Sequence, residues 1–173
     1  MAVLDDAGIG SADVMGHSMG GAIALAAAMH IPERIGGLVV NGAHPFAQDL
    51  SPLRAAVAES FEPWLEWAQR LAPGRLSPET RRRILANDIR ALQACVAHDR
   101  PDRSSALTQL RSPTLAIAGT LDPICDAVRR FAELAGGEFL PLEDRNHLTA
   151  FFSAEDVVPA VMAFLDATDL RPG

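Results

Sequence analysis

Four short apolar runs alternate with longer stretches of helical period along this chain, and few folds accommodate that alternation. The runs are Ala12 to His17, Gly37 to Asn41, Thr114 to Ala118 and Glu138 to Leu142. An Ala-rich helix from Met19 to His30 follows the first run and stops at Ile31-Pro32. A helix from Asp126 to Ala135 follows the third and closes on Gly136-Gly137. A last helix runs from Ser153 to Leu165, with Ser153 as N-cap and Glu155 and Asp156 in its first turn. Val3 to Ile9 reads as the tail of a further helix, halted by Gly8 and Gly10. Strands separated by helices imply an α/β fold, with a parallel sheet covered by helices on both faces. Pro141 cannot donate to a sheet ladder, so the fourth strand belongs at an edge.

The middle of the chain, residues 45–111, shows no strand pattern and reads as a helical insertion. Leu53, Val57 and Phe61 recur every four residues, and Trp64, Leu65, Ala68 and Leu71 share a helix face. Ser77-Pro78 is a helix start, with Ser as N-cap and Pro in the first turn. Ile84, Leu85, Ile89, Leu92 and Val96 continue a helical period that breaks at Asn87-Asp88. Residues 1–173 therefore read as a single domain carrying one insertion.

Composition narrows the function classes. Acidic residues number 22 against 15 basic ones, all arginine, so the net charge of −7 argues against general nucleic-acid or anionic-membrane binding. The start Met1-Ala2-Val3-Leu4-Asp5-Asp6 lacks the basic region of a signal peptide. The apolar run Ala22 to Met29 is far too short to span a membrane. Cys95 and Cys125 form no metal or redox spacing and read as free thiols, which points to the cytoplasm. No metal-ligand cluster is evident, and no cofactor is expected.

Chemistry enters at Gly16-His17-Ser18-Met19-Gly20-Gly21, a G-x-S-x-G pattern. The pattern alone is weak. Here a strand leads into it and a helix leaves it, the context of a nucleophile elbow. Such a turn is so sharp that the residues two before and two after the serine must be nearly free of side chain. Gly16 and Gly20 meet that need, and Gly21 lets the helix approach the strand. The serine hydroxyl then projects at a helix N-terminus, where free N–H groups favour developing negative charge. A serine nucleophile needs a base, and the base an orienting acid. Both are expected in loops at the carboxyl ends of later strands. Asp122 follows the third strand and His147 the fourth, and Ser, Asp, His is the chain order this arrangement uses. Asp126, Glu143 and Asp144 are rival acids, and the bland reading of Asp122 is a cap for the helix after it; Asp122 is favoured as the acid. Strand alternation turns His17 away from Ser18, so it reads as packing. His44 reads as outside the site, and His30 and His98 as surface residues. Trp64, Trp67 and Phe61 read as core of the insertion, and Arg81-Arg82-Arg83 as a solvated helix face.

In these motifs the chain resembles the C-terminal part of an α/β-hydrolase fold enzyme. The likeness is carried by GHSMGG, the helix AIALAAAMHIPERI, the strand GLVVNG, the acid loop SPTLAIAGTLDPI and DRNHL. The resemblance implies Ser18 as nucleophile, His147 as base, Asp122 as acid and the Met19 N–H as an oxyanion donor. It implies a small ester or similar acyl substrate, and it places the insertion where that family carries a variable cap. Sheets of the family have eight strands, so about four further units would precede Met1. A second oxyanion donor would lie in that portion, often as a His-Gly pair, which this chain lacks. Losing one such donor costs roughly 10²–10³ in rate. The strand Ala12 to His17 would then be an open apolar edge. Two expectations follow: a serine hydrolase with a Ser-His-Asp triad, or a non-catalytic fragment that pairs with a partner or a second copy through that edge.

Overall fold

A computed structural model of the chain describes residues 2–169. They divide into two compact units, one of residues 2–45 with 103–169 and the other Phe46–Asp102. The first unit holds all four strands, β1 (Ala12–His17), β2 (Ile35–Asn41), β3 (Thr114–Gly119) and β4 (Glu138–Leu142). They form one sheet in the order β1-β2-β3-β4, and every pairing is parallel. The expected α/β class, strand number and edge position of β4 are all present.

The helices of this unit are α1 (Ala2–Asp6), α2 (Met19–His30), α7 (Cys125–Ala135), α8 (His147–Phe151) and α9 (Ala154–Asp169). The second unit carries α3 (Ser51–Ala56), α4 (Glu62–Leu71), α5 (Pro78–Leu85) and α6 (Ile89–Cys95). Parallel neighbours joined by right-handed crossovers put α2 and α7 on one face of the sheet. On α2 the buried positions are Gly21, Ala24, Leu25, Ala28 and Met29, a helical stripe made mostly of small residues. On α7 they are Cys125, Val128, Phe131 and Ala132. The opposite face carries Val39, Leu115, Ile117 and Leu142, which pack with Val157, Val161 and Phe164 of α9. Alternation along β2 and β3 sends Leu38, Val40, Ala116 and Ala118 the other way, and all four are fully buried.

Some boundaries differ from expectation for local reasons. β2 begins at Ile35, which pairs with Ala12, and the Asp13 carboxylate of β1 accepts the Gly37 N–H at 2.5 Å. The register shifts at that point, with Ala12 opposite Ile35 but Val14 opposite Leu38. α1 ends at Asp6, and the Ile9 N–H turns back to the Leu4 carbonyl. The Ser153 hydroxyl is taken up by the Arg145 Nε–H, which it accepts, and by the Thr149 carbonyl, to which it donates.

The regular elements of the Phe46–Asp102 unit are the four helices α3 to α6 and an antiparallel bridge between Gln48 and Arg100. Its core is Leu50, Val57 and Val96, with Leu53, Trp64, Ile89 and Leu92 packed against them. Ser77 caps α5 by accepting the Thr80 N–H. Asp88 caps α6 by accepting from Arg90 and Ala91, which is the break expected at Asn87-Asp88. Phe61 is buried and Trp67 lies 39% exposed.

At the carboxyl end of β1 the backbone doubles back sharply. A Cβ on Gly16 would stand 2.2 Å from the carbonyl carbon and oxygen of Gly20, so only glycine fits. Gly21 is also tight, with three atoms at 3.1 Å. Gly20 departs from expectation, since a Cβ there would meet nothing within 4 Å. The crowding is one-sided: Gly16 must be bare because the Gly20 backbone lies over it, whereas Gly20 faces open space. Gly16→Ala is therefore expected to cost about 1–3 kcal/mol in urea unfolding. Gly20→Ala, inside α2, is expected to be neutral or up to about 1 kcal/mol stabilising. Equal losses in the two variants would contradict this assignment.

Candidate active site

Ser18 stands between β1 and α2 with φ 54° and ψ −114°, a left-handed backbone that a non-glycine residue adopts only under constraint. Two restraints hold it there. The Ser18 N–H donates to the Asn41 carbonyl at 2.8 Å, which ties the turn to the end of β2. The tight approach of Gly20 to Gly16 then sets the direction in which the chain leaves. Ser18 occupies the N-cap position of α2, yet its side chain makes no capping hydrogen bond. Its Oγ lies instead 2.8 Å from His147 Nε2.

His147 opens α8, and the start of that helix is built with care. Asn146 accepts the N–H groups of Leu148 and Thr149 through its side chain, while the Thr149 hydroxyl accepts the Asn146 N–H, a reciprocal capping box. The other imidazole nitrogen, Nδ1, lies 2.7 Å from Asp122 Oδ2. Asp122 is only 6% exposed, and its second oxygen accepts the Ile124 N–H. The carboxylate thus holds the turn ahead of α7 and faces the imidazole, but it does not cap that helix, whose N-cap position is Ile124 without a side-chain capping bond.

The loops carrying Asp122 and His147 are sewn to each other by the backbone. The Thr120 N–H donates to the Leu142 carbonyl, the Asp144 N–H to the Thr120 hydroxyl, and the Leu121 N–H to the Arg145 carbonyl. The structure therefore brings Ser18, His147 and Asp122 into one hydrogen-bonded line, although 129 positions separate Ser18 from His147 in sequence. The rival acids Asp126, Glu143 and Asp144 lie outside that line. Met19 is the first residue of α2, so its N–H belongs to the unpaired donors of the helix start beside Ser18.

Two neighbours of this line are not among the site residues read from the sequence. Gly42, just past β2, has φ +63°, and a Cβ there would stand 3.0 Å from His147 Cε1 and 3.2 Å from Nδ1. The second is His17. Its ring centre lies 5.0 Å from that of His147 and 5.3 Å from that of Phe151. It packs, as alternation suggested, but what it packs against is the imidazole facing Ser18. The strand–Asn–Gly sequence at 41–42 was the available clue for Gly42. Nothing in the sequence placed His17 beside His147, because their contact is made across the fold.

Burial, and then the nearby charge of His147, lower the His17 pKa from 6.5 to about 4; Asn41, Asp122 and the His147 backbone pull weakly the other way. Its Nδ1 and the Oδ1 of Asn41 are both buried. Among the described residues, no group of three or more His, Cys, Asp or Glu side chains is placed to hold a metal ion.

The His17 shift has a consequence for stability. Between pH 6.5 and about 4 the unfolded chain takes up a proton at His17 that the folded chain refuses. The stabilisation is thus complete above pH 6.5 and is lost as pH falls, on the order of 2–3 kcal/mol by pH 4. Urea unfolding of the parent and His17→Phe across this range should show the parent losing more. Parallel pH profiles would contradict a depressed His17.

Comparison with known proteins bears on both fold and site. The pattern defining the alpha/beta hydrolase family matches residues 2–160. Among curated proteins, the polyketide synthase ThaQ of Burkholderia thailandensis is 29% identical over 183 aligned positions. That alignment takes in 93% of this chain and 9% of ThaQ, so the chain spans about a tenth of the length of that relative. A solved thermophilic esterase from Thermogutta terrifontis, with malate bound, is 26% identical with a TM-score of 0.74, covering 96% of this chain and 69% of the other. A hydrolase from Pseudomonas aeruginosa PA01 is 24% identical with a TM-score of 0.75, covering 95% and 68%. The family pattern takes in both the strained serine turn and the loops that carry Asp122 and His147, and on that match the chain belongs to the alpha/beta hydrolase family.

Proposed function

We propose that this chain is a serine hydrolase acting on a small carboxylic ester or related acyl compound. The observation that carries this reading is the line Ser18 Oγ, His147 Nε2 at 2.8 Å, and His147 Nδ1 to Asp122 Oδ2 at 2.7 Å. A serine serving only as a helix cap would turn its hydroxyl to the helix N–H groups, and Ser18 does not. In the proposed reaction His147 Nε2 takes the Ser18 proton as Oγ attacks the acyl carbon. The Met19 N–H, at the positive end of α2, donates to the oxyanion that forms. His147 passes its proton to the departing alkoxide, leaving an acyl-serine. Water then attacks with His147 again as base, and the acid leaves as Ser18 recovers its proton. Asp122 holds the imidazole with Nδ1 protonated and stabilises its charged form. These steps need no cofactor. Acyl transfer, perhydrolysis and hydrolytic C–C cleavage use the same three groups and differ in what attacks or leaves.

Supporting the reading are family membership and the likeness to a solved esterase. The free thiols Cys95 and Cys125 fit the reducing cytoplasm as its location. No described helix is long and apolar enough to cross a membrane.

A second reading rests on a different observation. Among the described residues β1 pairs only with β2, and Met15 on that edge strand is 50% exposed. An edge of this kind invites pairing with another chain, either a second copy or a different partner. The chain would then be a non-catalytic fragment completed by association.

Labelling with a fluorophosphonate probe tests the first reading. The folded chain is expected to label at Ser18, and Ser18→Ala to abolish labelling; Asp122→Asn should slow it about 10⁴-fold. No labelling of the folded chain, or labelling that survives Ser18→Ala, would sink the hydrolase reading. Sedimentation at micromolar concentration tests the edge. Association is expected, and a clean monomer would count against it.

A further inference from the structure

The imidazole of His147 is held at its two nitrogens by Ser18 and Asp122, and those contacts leave one freedom open. A ring gripped at both ends of its edge can still tilt about the line joining them. Tilting carries the lone pair of Nε2 out of line with the serine hydroxyl. Something must lie against the face of the ring to prevent it.

The structure offers His17 for that task. Its ring lies 5.0 Å from His147, inclined by 41°, and Phe151 backs it at 5.3 Å and 51°. Gly42 makes room, since a Cβ there would press on His147 Cε1 at 3.0 Å and on His17 Cε1 at 3.3 Å. Asn41 is the register partner of His17 across β1 and β2, so the two side chains share a face of the sheet. Backbone position therefore determines the face of the sheet on which the His17 side chain stands. His17 follows Gly16 and precedes the strained Ser18, both tightly restrained.

We propose that His17 is a positioning residue: its flat ring is the wall against which His147 rests, keeping Nε2 aligned with Ser18 while Nδ1 faces Asp122. The proposal rests on the serine-hydrolase reading for its effect on rate, but not for the geometry. A wall beside a base that becomes positively charged should itself be uncharged. Burial keeps His17 neutral at pH 7. The part of the site His17 packs against is the His147 ring, so its effect passes through His147.

Two variants that both fill the space separate a flat wall from mere bulk. His17→Phe keeps a planar ring, and His17→Leu keeps apolar volume without one. In His17→Leu the maximal rate of fluorophosphonate inactivation should fall roughly 10- to 100-fold while the probe concentration for half-maximal rate stays unchanged. His17→Phe should stay within about threefold of the parent. Proton NMR supplies a readout independent of reactivity. The His147 Nδ1–H, donated to Asp122, should give a downfield, slowly exchanging signal in the parent and in His17→Phe, and a weakened or absent one in His17→Leu.

An His17→Leu chain that keeps both the signal and the parent rate overturns the proposal. So does an His17→Phe chain as impaired as His17→Leu while equally well folded by melting. Should the parent itself fail to label, the hydrolase reading falls, and the NMR signal alone decides whether His17 holds His147.

Discussion

The placement of Ser18 depends on one close approach, that of the Gly20 backbone to Gly16. It forces the chain to reverse within four residues and holds Ser18 at a φ of 54°. Because the turn is that tight, the serine side chain leaves the helix cap position pointing outward rather than back at the α2 N–H groups. The same reversal starts α2 at Met19, directly after the serine, so the unpaired N–H groups of the helix start lie beside Ser18. Strain here is a local cost supported by the sheet, through the bond from the Ser18 N–H to the Asn41 carbonyl.

The other half of the site is stabilised in a different way. Asp122 and His147 stand on loops, which are commonly the mobile parts of a fold. Here the loops after β3 and β4 are laced together by Thr120, Leu121, Asp144 and their partners. The capping box of Asn146 and Thr149 fixes the first turn of α8, from which His147 projects. Separate backbone devices thus bring three polar side chains to within hydrogen-bond reach. A parallel sheet makes this geometry natural, because the carboxyl ends of β1, β3 and β4 all open on the same side.

Much of this was legible in the residue order. The alternation of apolar runs and helices yielded four strands in their observed places, and Pro141 placed β4 at an edge. Break signals within the insertion were equally clear, since Ser77 and Asp88 cap helices by short-range hydrogen bonds that depend only on neighbouring residues. Less legible were contacts between segments distant in sequence. The two extra residues of β2 come from the pairing of Ile35 with Ala12 on another strand. Gly20 looked as constrained as Gly16, because the pattern names both, and only the direction of the backbone shows which of the two is crowded.

By itself, the sequence determined the class of fold, the kind of turn at Ser18 and the loops in which a base and an acid would be sought. These follow from periodicity, glycine placement and strand order, which are local or nearly so. Tertiary structure alone decided that Asp122 rather than its acidic neighbours faces His147, and that His17 and Gly42 border the same ring. Those relations are distances between side chains carried by different strands. They come into being only when the sheet aligns its strand ends and packs the loops that follow them.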